Sequence, residues 1–406
     1  MKVAIIGAGL TGLRCAMELK EFAKVKVFEK NSPGGLVSSF FSGSYHIEKF
    51  YHHAFRFDSE LIEVIKNLGL SSKLVWKTVK VGIAKDGKIY SLSTPFEILK
   101  YPHMSFFDKF RLALFTLRSR KKKFEEFDDI EALRALKKEL GKNLVENFFM
   151  SLLKAKFGEN AEKISYAWLL ARVAIRSNRK FKGEEIGYLR HGFQQMIEKM
   201  CEEVEIAKER AKIRRNGRWN VNGEEFDAVI FTAPLPELGE IAEKLGIPEI
   251  RYQSSICALV SLKESISNVY WVNVDKATFG AIIEHTNLMP FEDYGEFLVY
   301  LASYSTPEGE LFNLPNEKIE KLFLKDLQRF GVKSEDLNWV KVFKAKFSSP
   351  IYEKGFIGKI TPYKVYNGFY IAGMTSRPNY PERSMNGSLI AGKEVAEHLK
   401  KDFELS

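Results

Sequence analysis

Apolar residues recur along this chain at two spacings, and the alternation between them outlines its elements. Val3 to Ile6 is an unbroken apolar run of strand length; Leu13, Ala16, Met17 and Leu19 then repeat at helical intervals before a second run, Val25 to Phe28. A strand, a helix and a strand in that order predict a βαβ unit with buried strands. Asp58 to Leu68 reads as an amphipathic helix with Asp58 as cap and Gly69 as stop. Val79 to Ile83, the pair Asp86-Gly87 and Ile89 to Leu92 read as a hairpin. From Ser105 to about Arg176 helical periodicity dominates. A helix at Gln194–Cys201, strands at Val204–Ala207 and near Arg210–Ile213, and an apolar strand ending in Phe231 follow. Tyr252 to about Ser305 alternates apolar and polar residues, as an antiparallel sheet does. Asn316–Phe330 reads as a helix, Val340–Ser348 as a strand, Gly368–Gly373 as a strand with a terminal glycine, and Ser384–Ser388 as the start of a last helix.

The first turn carries the sharpest chemistry. Gly7-Ala8-Gly9-Leu10-Thr11-Gly12 is a G-x-G-x-x-G fingerprint with a strand before it, a helix after it and Glu29 closing the next strand. Gly7 permits the tight turn, Gly9 lets backbone approach a pyrophosphate, and Gly12 allows close helix–strand packing. The helix N-terminus offers amides and a positive dipole end to phosphate. Glu29 suits ribose hydroxyls, which argues against a 2′-phosphate and so against NADP. Gly34-Gly35 follows closely, a second place where backbone can approach a ligand.

Composition narrows the class. The chain has 406 residues, 45% of them apolar and 13% aromatic, enough for sizeable cores and two domains. Cys15, Cys201 and Cys257 are its only cysteines; without C-x-x-C spacing they give no cysteine zinc site or disulfide framework, and they suit a reducing cytoplasm. No metal site is expected. No signal peptide fits the N-terminus, and no run is long enough to span a bilayer. The net charge of +10 fits nucleic acid, an anionic membrane face, an acidic substrate or solubility alone. No motif supports nucleic acid, which is not an expected partner. Phe106, Phe107, Phe110, Leu112, Leu114, Phe115 and Leu117 lead into Arg118, Arg120, Lys121, Lys122 and Lys123. Phe106–Lys123 reads either as a peripheral contact with the inner membrane face or as a core helix with cations at its C-terminal end.

The fingerprint, the acid, Gly34-Gly35-Leu36, the segment His46–His53, the run Asp227 to Pro234 and Gly368–Met374 with Ser384–Ser388 together resemble flavoproteins of the amine oxidase, protoporphyrinogen oxidase and phytoene desaturase group, above all its archaeal and bacterial protoporphyrinogen oxidase-like members. The resemblance implies bound FAD. It implies an α/β fold: a Rossmann-type FAD-binding domain (GR2-like) with a substrate domain made of an antiparallel or mixed sheet and a helical insert. The expected segments are 1–78, 187–250 and 355–406 for the FAD domain, and 79–186 and 251–354 for the substrate domain. Cofactor contacts carry over to Gly7, Gly9, Leu10, Thr11, Gly12, Glu29, Lys30, Gly34, Gly35, Leu36, Val37, Tyr51, Arg210, Ala233, Gly373, Met374, Met385, Asn386 and Gly387. Leu36 replaces the family's usual Arg, Arg210 stands where many relatives carry Val, and Met374 where many carry Asp or Glu.

An FAD-dependent oxidoreductase is the resulting expectation; no Ser/His/Asp, H-E-x-x-H or P-loop motif supports a hydrolase or kinase. The apolar insert favours a bulky, hydrophobic small-molecule substrate, an isoprenoid, polyene or porphyrinogen, over an amine. His52, with its neighbour His53, His285 and Tyr352 are the substrate-cavity candidates, each with packing as the plain alternative. The lysine that amine-oxidising relatives place near the flavin is not identified in this chain; Lys346 is named only from its place ahead of Pro350. The alternative activity is a flavin-dependent isomerisation resembling that of UDP-galactopyranose mutase, with Arg172, Arg176, Arg179 and Arg377 available for a diphosphate.

Overall fold

The computed structural model describes residues 1–177, 183–202 and 204–404, without the side chains of 175–177. A six-stranded sheet is built around the opening strand Lys2–Ile6, which lies between Lys24–Phe28 and Ala228–Phe231 and runs parallel to both. Glu205–Ala207 extends it on one side; Phe369–Ile371 and Lys364–Tyr366 extend it on the other. Every residue of Ala228–Phe231 is buried, as expected of a central parallel strand covered on both faces. The expected strand near Arg210–Ile213 instead starts at Ile213, in the separate three-stranded sheet Ile213–Asn216, Arg218–Val221 and Glu224–Phe226.

The second sheet has seven strands. Its order is Leu337–Pro350, Tyr252–Leu262, Phe297–Ser305, Ala281–Glu284, Trp271–Val274, Val81–Lys85, Lys88–Ser91. All eleven residues of Tyr252–Leu262 are buried, so this strand is the sheet's spine. One junction is parallel, Trp271–Val274 against Val81–Lys85, and makes the sheet mixed. The hairpin turns at Asp86 (φ 52°) and Gly87 (φ 74°), the two left-handed residues a tight turn of this hand requires. Val79 belongs to a different strand, Leu74–Val79, which pairs with Glu184–Leu189.

Between the sheets lies a helical insert, Pro95–Lys100, Phe106–Ser119, Ala132–Leu140, Met150–Phe157 and Tyr166–Ser177. The helix Ser59–Asn67 ends as expected: the Leu70 amide donates to Ile65 C=O and the Gly69 amide to Lys66 C=O, both at 2.9 Å, with Gly69 at φ +72°. Its start does not follow the sequence reading. Asp58 makes no capping bond to the helix; its carboxylate turns back to accept the Phe55 amide at 2.7 Å.

The tail helix Met385–Asp402 packs along the first helix, Leu10–Leu19. A Cβ on Gly392 would stand 2.4 Å from the Thr11 carbonyl oxygen, so only glycine admits this approach. Thr11 Oγ1 donates to Ser388 C=O at 2.9 Å, which sets the register of the pair. Both N-termini thereby face the same side of the molecule.

Candidate active site

The two glycines that frame the fingerprint are packing residues. A Cβ at Gly12 would lie 1.9 Å from the Gly7 carbonyl oxygen, and one at Gly7 3.0 Å from Thr232 Oγ1 and 3.4 Å from the Ala233 amide. Gly9 is different. Its φ of −77° and ψ of 179° suit any residue, yet a Cβ there meets nothing within 4 Å. Its open side is a cradle that a side chain would fill. Gly9 also caps the first helix, no side chain blocks the first amides, and those of Leu10, Thr11 and Gly12 lack helical acceptors. Glu29 accepts the Ala8 amide at 2.9 Å and the Asn31 amide at 2.8 Å, which leaves carboxylate lone pairs for hydroxyl donors. Gly34 donates to Ala8 C=O at 2.8 Å. A Cβ on Gly35 would come 3.4 Å from Gly9 Cα, so the second glycine pair buttresses the first loop.

At the other end of the groove Ser384 caps the tail helix, its Oγ accepting the Gly387 amide at 2.8 Å. The amides of Met385 and Asn386 are left without helical acceptors. Leu36, Met385 and Asn386 open into a cavity of about 280 Å³. Phe50, Tyr51, Phe55, Phe57, Phe157, Trp168, Trp271, Tyr304 and Tyr352 supply its aromatic wall, and Gln253, Ser255, Ser303, Ser348 and Ser349 a polar one. Tyr51 and Tyr304 hydrogen-bond through their hydroxyls, and Tyr51 packs edge-on against Trp271 at 4.8 Å.

Charged groups face this space from several segments. Glu382 Oε1 accepts from Arg172 Nη1 at 2.7 Å and from Lys156 Nζ at 3.0 Å. Although burial opposes its charge, the two cations hold the Glu382 carboxyl down at about 2. Glu382 offsets the burial of Arg172, whose proton is held more tightly, but not that of Lys156. Burial, with the nearby charges of Arg172 and Arg383, therefore lowers the Lys156 ammonium to about 8. Burial raises Asp58, another lining residue, to about 6.

His52 lines the cavity, with Nδ1 2.7 Å from Phe50 C=O. Burial, then the Arg383 charge, depresses it to about 3, so the ring is neutral at ordinary pH. His53 lines the cavity too, with Nδ1 3.2 Å from the Tyr270 hydroxyl. Tyr352 reaches the wall, but its hydroxyl donates to Asn379 C=O at 2.7 Å.

Several candidate positions fall elsewhere. His285 is a core residue: its Nε2 lies 2.7 Å from the Tyr294 hydroxyl, its ring packs on Tyr188, and it is not among the residues lining this cavity. Val37 is 3% exposed and packs into the core. The Gly387 amide is taken by Ser384, and its missing side chain is required by Pro378 C=O, 2.5 Å from where a Cβ would lie. The Thr11 hydroxyl serves the helix pair. Lys30 and Arg210 are exposed and converge on Glu237, at 2.9 and 2.7 Å, at the rim of the groove's Glu29 end. Gly373, at φ +141°, is fixed by its amide donating to Ser376 Oγ at 3.0 Å, and Met374 packs against the core beside it. Lys346 is exposed along an outer strand. Arg377 is half-exposed and lies 3.5 Å from Glu125. Arg179 and the Arg176 side chain lie outside the described residues. Lys156, Glu382 and Arg383 escaped the sequence reading because no spacing rule joins them; two charges immediately before the Ser384 cap were the only local signal.

The sequence matches the family model for flavin containing amine oxidoreductases over residues 10–400. The chain belongs to that family. It is an FAD-dependent oxidoreductase, with the family's α/β architecture. Among solved structures it is similar to a candidate protoporphyrinogen oxidase from Exiguobacterium sp. 255-15, at 19% identity over 99% of both chains with a TM-score of 0.80. It is similar also to a reduced UDP-galactopyranose mutase, at 17% identity over 98% of this chain and 95% of that one, TM-score 0.76. Putrescine oxidase with putrescine bound gives 15% identity over 99% of both chains and a TM-score of 0.70. At these identities the likeness carries the fold alone. No curated protein matches the chain.

The ion cluster sets a pH dependence. The unfolded chain protonates position 382 near the ordinary carboxylate value, the folded protein only near 2, so stability falls as pH drops from about 5 towards 2. Glu382→Gln, which leaves two enclosed cations unpaired, is expected to lose about 3 kcal/mol at pH 7. In urea unfolding that deficit should narrow as pH falls; an unchanged gap at pH 3 would remove Glu382 from this role.

Proposed function

We propose that this flavoprotein oxidises a bulky, largely apolar small molecule, held in the aromatic cavity between Leu36 and the helical insert. The observation carrying this reading is that one cavity, with nine aromatic side chains in its lining, joins the N-terminus of the tail helix to the insert helices. FAD, when bound, supplies the acceptor for a hydride equivalent. The loop Gly7–Gly12 and the first helix's amides receive its pyrophosphate, and Glu29 its adenosine ribose. Gly34, Gly35 and Leu36 follow the same path, with Ala233 beside Gly7. Met385 and Asn386 offer their amides to the flavin ring. The aromatic wall excludes water and orients the substrate face. Neutral His52 and the Tyr51–Tyr304 pair are the polar groups placed to position it, and Tyr352 shapes the wall. A non-redox isomerisation is the second reading, favoured by the fold shared with UDP-galactopyranose mutase and by Arg172 in the cavity.

We also infer a peripheral contact with an anionic bilayer. The helix Phe106–Ser119 buries Asp108, Phe115 and Ser119 and turns its opposite face outward. Phe106 is 71% exposed, Phe107 76%, Phe110 63% and Leu117 59%; Phe96 and Leu99 of the neighbouring helix are 64% and 54% exposed. Arg111 and Arg118 border this face, and Lys121 and Lys123 follow it, all exposed. A surface this apolar and rimmed by cations matches lipid tails under anionic headgroups. No helix among the described residues is long and apolar enough to cross a membrane.

Gly9→Val tests the cofactor path. Because the position has room for a side chain, the variant should fold with parental thermal stability as apoprotein and yet purify colourless; full FAD content would refute the assignment. Anaerobic mixing tests the substrate class: isoprenoid, polyene or porphyrinogen compounds should bleach the flavin, whereas bleaching by small amines alone would overturn the apolar reading, and tight UDP-galactose binding to the reduced protein would favour the isomerase. Vesicles containing phosphatidylserine should sediment the protein, and Phe106→Ser/Phe110→Ser should lower the partition coefficient about tenfold or more. Equal sedimentation of the variant, or a parent that buries this face in a dimer instead, would dismiss the membrane contact.

A further inference from the structure

Arg383 stands immediately before the cap of the tail helix and lines the cavity. Its Nε is buried and has no hydrogen-bond partner. A cation beside a helix N-terminus is opposed by the dipole, and two more cations, Lys156 and Arg172, line the same space. Glu382 is already shared between those two, at 3.0 and 2.7 Å. Asp58, the other carboxylate in the wall, is bound to the Phe55 amide at 2.7 Å. His52 is neutral and contributes no charge, and Tyr51, Tyr304 and Tyr352 are hydroxyls that burial keeps protonated and so supply no anion to counter Arg383. The space therefore holds more positive charge than its own carboxylates neutralise. An unpaired guanidinium in an enclosed site is costly unless a ligand completes it.

We propose that the substrate carries an anionic group, a carboxylate or a phosphate, which docks on Arg383 with Lys156 beside it while the apolar body lies against the aromatic wall. The inference rests on the flavoprotein reading above and deepens it: the substrate is an amphiphilic acid rather than a neutral polyene or a cationic amine. A guanidinium accepts either anion through paired N–H donors, so the two sources share one chemistry. An ammonium group would enter against three cations, which disfavours small amines on the same grounds.

The test is titration of the oxidised flavin absorbance of the FAD-loaded protein with four probes on one aromatic body: benzoate, phenyl phosphate, benzamide and benzylamine. Benzoate or phenyl phosphate should bind at least about tenfold tighter than benzamide, and whichever of the two is tighter names the group. Arg383→Met should keep its FAD and lose that preference, and Lys156→Met should reduce it. Equal affinity for benzamide, tighter binding of benzylamine, or an Arg383→Met protein that keeps the preference would overturn the proposal. So would an Arg383→Met protein that folds but cannot be loaded with FAD, since Arg383 would then serve the cofactor. A parent protein that never takes up FAD would defeat the flavoprotein reading itself, which separates the two failures.

Discussion

The approach of two helices, drawn from opposite ends of the chain, is the constraint on which the site depends. The helix after the opening strand and the tail helix touch where Gly392 faces the Thr11 carbonyl oxygen, and the Thr11–Ser388 hydrogen bond fixes their register. Two N-termini are thereby presented to one groove, at Gly9 and at Ser384. Each end leaves amides that secondary structure cannot satisfy. Separately they would be ordinary solvated helix ends. Held by a glycine contact that any Cβ would spread, they form the extended seat we propose for the cofactor, one end for phosphate and the other for the ring. Gly34 and Gly35 reinforce the first of these from behind, and Glu29 and Thr232 hold its loop through the Ala8 amide and the Gly7 carbonyl, at 2.9 and 3.0 Å.

Charge is the second organising force, and it is concentrated at the other end of that seat. Glu382 binds two cations from separate helices of the insert, Lys156 and Arg172, and it lies two residues before the tail helix's cap position at Ser384. The pairing therefore ties the insert to the end of the groove. Its cost falls on Lys156, because Arg172 sits closer to the shared carboxylate and keeps its proton in any environment. Burial depresses His52 as well as Lys156, and depresses basic groups generally where water is excluded.

Local order was legible in the sequence; convergence was not. The βαβ unit, the Asp86-Gly87 turn and the Ser384 cap each depend on residues a few positions apart, and periodicity reads such distances directly. Leu74–Val79 pairs with Glu184–Leu189 across more than a hundred residues, and nothing in either strand names its partner. Asp58 has the right identity for a cap, but the Phe55 amide competes for the same carboxylate and wins. His285 looked like a cavity histidine because a strand-end imidazole is chemically versatile; the aromatic cluster of Tyr188, Tyr294 and Tyr300 absorbs it instead. Lys346 and Lys156 make the same point from the other side. The lysine named from its place ahead of Pro350 faces solvent, while the one that reaches the cavity comes from the insert, whose helical pattern carries no trace of which face looks inward.

The helix Phe106–Ser119 inverts the usual rule, and the inversion links the two ends of the argument. A helix that merely completed a core would turn its phenylalanines inward and its Asp108 and Ser119 outward; this one buries Asp108 and Ser119 and, while Phe115 packs inward, leaves Phe106, Phe107 and Phe110 exposed. Asp108 is held inside by the Ser105 hydroxyl at 2.7 Å, and Ser119 by its own turn, donating to Phe115 C=O at 2.8 Å, so burying polar residues on that face leaves neither side chain without a partner. What remains unsatisfied is the outer apolar face, whose exposure to water is unfavourable for the isolated protein. The same helix packs on Tyr166–Ser177, the helix that carries Trp168 and Arg172 into the cavity. An apolar exterior and an aromatic interior are thus separated by the thickness of one helix pair. A molecule with a greasy body and an acidic head would find its preferred surroundings on both sides of that wall, and would meet the unpaired guanidinium only at the inner end.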